Sequence, residues 1–288
     1  VIGKYPVSNQ QYADVLHWAR DAARNYLRTD IGAVWTGVGD IYGGDNRQLA
    51  FAITTADSGI ELLQGDFSPR VREGLPGGTE YSLAAHPVVR VTWFGAALFC
   101  NWQSERDGLQ SVYNTSDWSA DFSKNGYHLP TEAQWERAAA WDGAKHWRYG
   151  IISDELSGGA RANYLNGASH VNPLGLSAFP GVYTAPVGWF DGVNISPNGG
   201  VQTLDSPGPV GAYDLCGNVW EWCHDRYGAL YYESSPASDP TGPASGTNRV
   251  LRGGAWSSTL ADLRAGRRTF NTPGVNANTF GFRLARTL

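Results

Sequence analysis

The chain has no methionine and only three cysteines, Cys100, Cys216 and Cys223. One disulfide at most could form and no CxxC pair exists, so neither a disulfide framework nor a thiolate zinc site is encoded. The six histidines show no HxH or HExxH spacing, which removes the usual signal of a histidine-held metal. Charge is sparse as well: 17% of residues are charged, with 22 Lys and Arg against 27 Asp and Glu and a net charge of −5. Such a balance offers no basic field to phosphates, and nucleic acid is not an expected partner. Apolar runs extend only a few residues, so no membrane span is expected. Gly37, Gly39, Gly43 and Gly44 miss the spacing of a dinucleotide loop. The chain opens at Val1 without a signal-peptide pattern, and its natural N-terminus is expected to lie outside this sequence.

Glycine and aromatic residues are abundant instead, with 36 Gly, 10 Phe, 12 Trp and 14 Tyr in 288 residues. A chain of this length can bury about 73% of its unfolded surface and needs no covalent staple. Three helices are predicted. The first follows Ser8, whose hydroxyl and Gln11 form a capping box, and runs to about Tyr26 with Tyr12, Val15, Leu16 and Ala19 on one face. The second starts after Thr92, carries Phe94, Ala97, Leu98 and Trp102, and ends at Asp107-Gly108. The third begins at Thr131 with Gln134 closing another box and ends at Asp142-Gly143. Beyond Gly143 the pattern is one of turns around short apolar pieces, Val219 to Trp222 and Val250 to Leu251. Together these describe a loop-rich α+β protein, with the Ser/Pro/Gly-rich stretch Tyr231 to Thr247 read as an ordered surface loop within one domain.

Two segments carry chemistry. In Asp214-Leu215-Cys216-Gly217-Asn218-Val219-Trp220-Glu221, two carboxylates seven apart flank a glycine, so Asp214, Glu221 and the Gly217 and Val219 carbonyls can face one hard cation. An all-oxygen set suits calcium rather than zinc. Spacing alone equally allows the acids to be surface charges beside a Trp-rich strand. In His128-Leu129-Pro130-Thr131-Glu132, Glu132 lies in a first helical turn, where it serves the helix dipole more readily than catalysis.

Several segments in order resemble the formylglycine-generating enzyme (sulfatase-modifying factor) family: Lys4 to Tyr12, His86 to Trp93, Gly126 to Glu136, Gly217 to Trp222, Arg252 to Trp256 and Gly281 to Arg283. The resemblance implies one C-type-lectin-like domain over residues 1–288, with little regular secondary structure, insertions near residues 28–81 and 189–206, and bound structural calcium. It implies that Asp214, Gly217, Val219 and Glu221 hold one calcium ion, and that Asn163 and Tyr164 begin a second site whose later acidic ligand has no counterpart here.

The family's oxidase chemistry depends on two copper-binding cysteines shortly after the Gly-Gly pair, because thiolates hold Cu(I). Counted from Gly253-Gly254, the first falls at Ser258 and the second between Leu260 and Leu263, where no cysteine stands. The expectation is a member that binds no copper and acts as a secreted or extracytoplasmic binding or structural protein. Its partner would be a protein or glycan. The resemblance also covers variable proteins that use the same C-terminal segment as a ligand face, here Trp256, Ser257, Ser258, Thr259, Phe270, Asn271, Asn276 and Asn278, residue types suited to an adaptable surface. The competing expectation is a divergent metal-dependent oxidoreductase of the same superfamily.

Overall fold

The computed structural model describes residues 1–20, 27–28, 41–43, 48–63, 65–72, 80–156, 159–166, 169–170, 183–195 and 201–287. The first helix, α1, spans Asn9–Arg20, and its capping box forms as expected: Ser8 Oγ accepts from the Gln11 amide (3.2 Å) while Gln11 Oε1 accepts from the Ser8 amide (2.9 Å). Its expected extension to Tyr26 lies outside the described residues. Seven short strands follow: β1 (Leu27–Arg28), β2 (Ile41–Gly43), β3 (Gln48–Phe51), β4 (Ile60–Leu63), β5 (Asp66–Pro69), β6 (Val71–Arg72) and β7 (Tyr81–Ser82). They pair as β1-β2-β3, β4-β5 and β6-β7, all antiparallel. These strands make up the first expected insertion, yet its Phe51, Ile60 and Phe67 pack in the same apolar cluster as Tyr12, Leu16 and Phe99.

Helix α2 (Trp93–Arg106) starts where Thr92 Oγ1 accepts from the Gly95 amide (3.0 Å) and stops at Asp107. Gly95 is required there, since a Cβ would meet the Ala50 carbonyl oxygen at 2.0 Å. After β8 (Tyr127–His128) comes α3 (Glu132–Ala140), with Thr131 and Gln134 closing the expected box. A small hairpin, β9 (Leu165–Asn166) and β10 (Ser169–His170), precedes the central sheet. That sheet joins β11 (Trp220–Arg226), β12 (Arg249–Arg252), β13 (Thr269–Asn271) and β14 (Phe280–Gly281) in the order β13-β12-β11-β14, with β11 and β14 parallel. The two short apolar pieces read from sequence are thus β11 and β12. The stretch from Tyr231 to Thr247 links these neighbouring strands as an ordered loop.

Strand β15 (Ala285–Arg286) pairs with β8, and the Val1 ammonium donates to the Arg286 carbonyl (2.8 Å). The sheet's inner face meets both helices through Trp222, Leu251 and Phe282. Trp93 and Trp222, both fully buried, donate their indole N–H groups to the Cys223 carbonyl (2.9 Å) and the Val91 carbonyl (3.1 Å). A buried indole usually finds such an acceptor, and here irregular backbone supplies it.

Candidate functional site

The turn before β11 is built on left-handed backbone at Asp214 (φ 59°), Gly217 (φ 79°) and Asn218 (φ 65°). At Gly217 a Cβ would stand 2.4 Å from the Asn163 carbonyl oxygen, so only glycine fits. Asn218, fully buried, locks the turn: its Oδ1 accepts from the Ala185 amide (2.9 Å) and the Asn163 side chain (3.3 Å), and its Nδ2 donates to the Ala185 carbonyl (3.1 Å). Asn163 donates to the Tyr183 carbonyl (2.9 Å) as well, while its Oδ1, buried, has no hydrogen-bond partner.

The two acids expected to hold calcium stand differently. Asp214 is 8% exposed and accepts from the Gly188 amide through Oδ2 (2.6 Å); burial pushes its pKa up to about 6, with the Glu221 charge adding to the rise. Glu221, fully buried, is in a bidentate pair with Arg283: Nε donates to Oε2 and Nη2 to Oε1, both at 2.6 Å. Trp135 Nε1 adds a third bond to Oε2 (2.7 Å). A carboxylate has about four lone-pair sites, so Oε1 keeps one. Asp214 and the remaining site on Glu221 are thus the side-chain oxygens of the expected calcium set. Asn163 Oδ1 and the Tyr164 carbonyl are the corresponding oxygens of the second expected site.

The positions of the missing thiols are filled by other chemistry. Ser258 is 8% exposed and closes a tight turn, its Oγ accepting from the Ala255 amide (3.0 Å). In the stretch where the second was expected, Leu260 and Ala261 are exposed, Asp262 is half-buried and Leu263 is fully buried against Tyr149, Ile151, Ala162, Tyr164 and Cys216. All three cysteines are free and buried, and burial raises each thiol, Cys216 to about 12, so none carries a thiolate near neutrality.

The residues read as a ligand face fall into two neighbourhoods. Trp256 stacks on Tyr183 (4.3 Å between centroids) and donates to the Asn278 carbonyl (3.1 Å), and both side chains line a narrow cleft with Asn9, Asp57 and His86. Ser257 and Thr259 are exposed on the adjoining turn, and Asn276 is half-buried on the turn that carries Asn278. Phe270, 44% exposed on the edge strand β13, packs instead on Tyr227 (4.2 Å), and Asn271 Oδ1 is occupied by the Thr272 amide (2.9 Å).

Sequence reasoning missed a second charged centre. Glu132 is 1% exposed and does more than serve its helix: Arg268 grips it through Nε (2.7 Å) and Nη2 (2.8 Å), Arg252 Nη1 lies 3.4 Å away, and Tyr232 donates its hydroxyl (3.3 Å). Arg268 is thus a structural partner of Glu132. Arg252, fully buried, reaches on to Glu136 and to the Ala265 and Arg267 carbonyls. Asp225 accepts from the Glu132 amide (2.7 Å), and its Oδ1 is buried without a partner. Burial, reinforced by the Glu132 charge, pushes Asp225 up to about 7 against the opposing Glu132 amide and Arg249. A raised carboxylate stabilises the fold below its unfolded pKa, and that contribution is lost as pH rises through about 7. Denaturant melts of Asp225→Asn at pH 5 and pH 8 should show a smaller loss of stability with rising pH than the unmodified protein; equal slopes would mean that Asp225 ionises freely.

A loop-rich α+β scaffold with an Asn-locked turn ahead of its central sheet and a C-terminal segment folded back over it is a C-type-lectin-like protein of the formylglycine-generating type. The profile of the sulfatase-modifying factor enzyme 1-like domain matches residues 1–288, and the chain belongs to that family. It is 31% identical over 293 residues to the formylglycine-generating enzyme of Thermomonospora curvata, covering 99% of this chain and 81% of that protein. It is also 34% identical over 211 residues to the serine/threonine-protein kinase pkn1 of Chlamydia pneumoniae, covering 73% of this chain but only 25% of the kinase. Among solved structures, Treponema denticola variable protein 1 superposes with a TM-score of 0.55 and 28% identity over 75% of this chain and 74% of that one.

Proposed function

We propose that this chain is a calcium-stabilised member of its family that works by binding a protein or glycan partner, not by oxidising a thiol, and that it does so outside the cytoplasm. The observation that carries the reading is Ser258 at the first copper-binding position, its hydroxyl spent on closing a turn, together with the lack of any cysteine from Leu260 to Leu263. A hydroxyl is not a soft ligand for Cu(I). Among the described residues no three His, Cys, Asp or Glu side chains converge as a metal centre. No described helix is long and apolar enough to cross a membrane.

The ligand face in this reading is formed by exposed Ser257 and Thr259 and half-buried Asn276, around the cleft lined by Trp256 and Asn278. Similarity to a variable protein of the same fold supports a surface open to change on a fixed scaffold. The chemical half of the proposal is tested with a peptide carrying the sulfatase cysteine motif, incubated with the protein, Cu(I) and oxygen. The cysteine should keep its mass; conversion to an aldehyde would overturn the reading. Copurification of a redox metal in stoichiometric amount would favour the oxidoreductase alternative instead.

A further inference from the structure

We propose that a groove beside the exposed face of α3, separate from the C-terminal ligand face, binds a neutral oligosaccharide. The groove encloses about 590 Å³ and is lined by Ala133, Glu136, Arg137, Trp141, His146 and Tyr232. That volume lies within the range of small-molecule sites. Ala133, Glu136 and Arg137 share a helix face by their i, i+3, i+4 spacing, and the small Ala133 leaves room above it. Trp141 stands at the C-cap of α3, its backbone bridged to His146. Tyr232 comes from the loop between β11 and β12, anchored by its hydroxyl on Glu132 and by the Arg268 guanidinium 5.0 Å from its ring centroid. Two large rings, 38% and 40% exposed, thus line one groove, Tyr232 backed by Glu132 and Arg268 and Trp141 fixed through its backbone.

The polar groups select the ligand. Glu136 Oε2 is taken by Arg252, and Oε1 lies 3.3 Å from His146 Nε2. Its charge is already compensated, so an ammonium ligand gains little from it. An acyl chain would strand a carboxylate, an imidazole and a guanidinium against hydrocarbon. A pyranose satisfies all of them. Its C–H face covers an aromatic ring, and its hydroxyls donate to Glu136 while accepting from His146 or Arg137. Two rings on one groove call for more than one sugar unit.

The test uses the full chain with three uncharged probes, cellotetraose, mannotetraose and N-acetylated chitotetraose, followed by saturation-transfer NMR and calorimetry. At least one should bind saturably at millimolar concentration or below. Trp141→Ala should weaken it about tenfold or more, and Trp141→Phe should restore part of the loss. A combined Ser257→Ala, Thr259→Ala and Asn276→Ala variant should bind the probe unchanged, which separates this groove from the C-terminal face. Failure of all three probes overturns the proposal, as does binding that Trp141→Ala leaves intact, or binding of spermidine or a hyaluronan tetrasaccharide in place of the neutral probes. Melting curves of each variant show that the fold is retained.

Discussion

Replacing Arg283 with alanine is expected to cost about 3–5 kcal/mol, the range for breaking a buried ion pair from one side. Both partners are fully buried, so the loss strands the Glu221 carboxylate with only the Trp135 indole as donor. The effect spreads beyond the pair because the same guanidinium donates to the Gly3 carbonyl (3.0 Å) and the Tyr213 carbonyl (2.8 Å), tying the N-terminal segment and the turn before β11 to the C-terminal strands. Arg283→Lys should recover little, since a point charge cannot reproduce a fork that meets four acceptor atoms. A double change to apolar residues, Arg283→Met with Glu221→Leu, should cost less than the single change because no charge is left unpaired. Equilibrium denaturation in urea measures all three. A single-variant loss below about 1 kcal/mol, measured with chelator present, would mean that water reaches Glu221 in the folded state, contrary to the burial seen here.

Local features were legible in the sequence for a physical reason. The capping boxes at Ser8 and Thr131 join residues three apart, and both form with the bonds their side chains dictate. The segments Val219 to Trp222 and Val250 to Leu251 were readable as strands because they are apolar between turns. What escaped depends on contacts remote in the chain. Glu221 and Arg283 lie 62 residues apart, and Glu132 and Arg268 lie 136 apart. Nothing in the local spacing of Glu132 separates a helix-dipole acid from one clamped by arginine, because the clamp comes from the far end of β12 and its following loop.

The groove on α3 was illegible for the same reason. Trp141 was visible beside Asp142-Gly143 as a residue at a helix end, and an aromatic ring there could have been flagged as exposed. Its companion Tyr232 comes from a loop read only as ordered surface. The family segments, by contrast, were legible because the turn they encode demands particular residues. Gly217 avoids the Asn163 backbone and Asn218 supplies three bonds that a different side chain could not make.

Calcium is expected to raise stability and a chelator to lower it, by about 2.7 kcal/mol when the free ion exceeds its Kd a hundredfold. Asp214 and Glu221 bring two buried carboxylates to a region where Arg283 supplies one guanidinium, and burial, with a smaller part from the Glu221 charge, raises Asp214 to about 6. The sign with pH follows from that rise. Without the ion, the stabilisation from protonated Asp214 is full below its unfolded pKa and is lost as pH passes through about 6. Calcium needs the ionised form, so its contribution should grow between pH 5 and pH 7.5 as the proton leaves. Asp214→Asn is the informative variant, because it keeps an oxygen for the Gly188 amide while removing the charge; Glu221→Ala would also break the Arg283 pair and confuse the two effects. Asp214→Asn should melt at the same temperature with calcium and with chelator, and the unmodified protein should not. Identical melting of the unmodified protein in both conditions at pH 7.5 would refute the site. A chelator effect that survives Asp214→Asn would place the ion instead on the unpartnered Asn163 Oδ1 and the Tyr164 carbonyl, where Asn163→Ala should then abolish it.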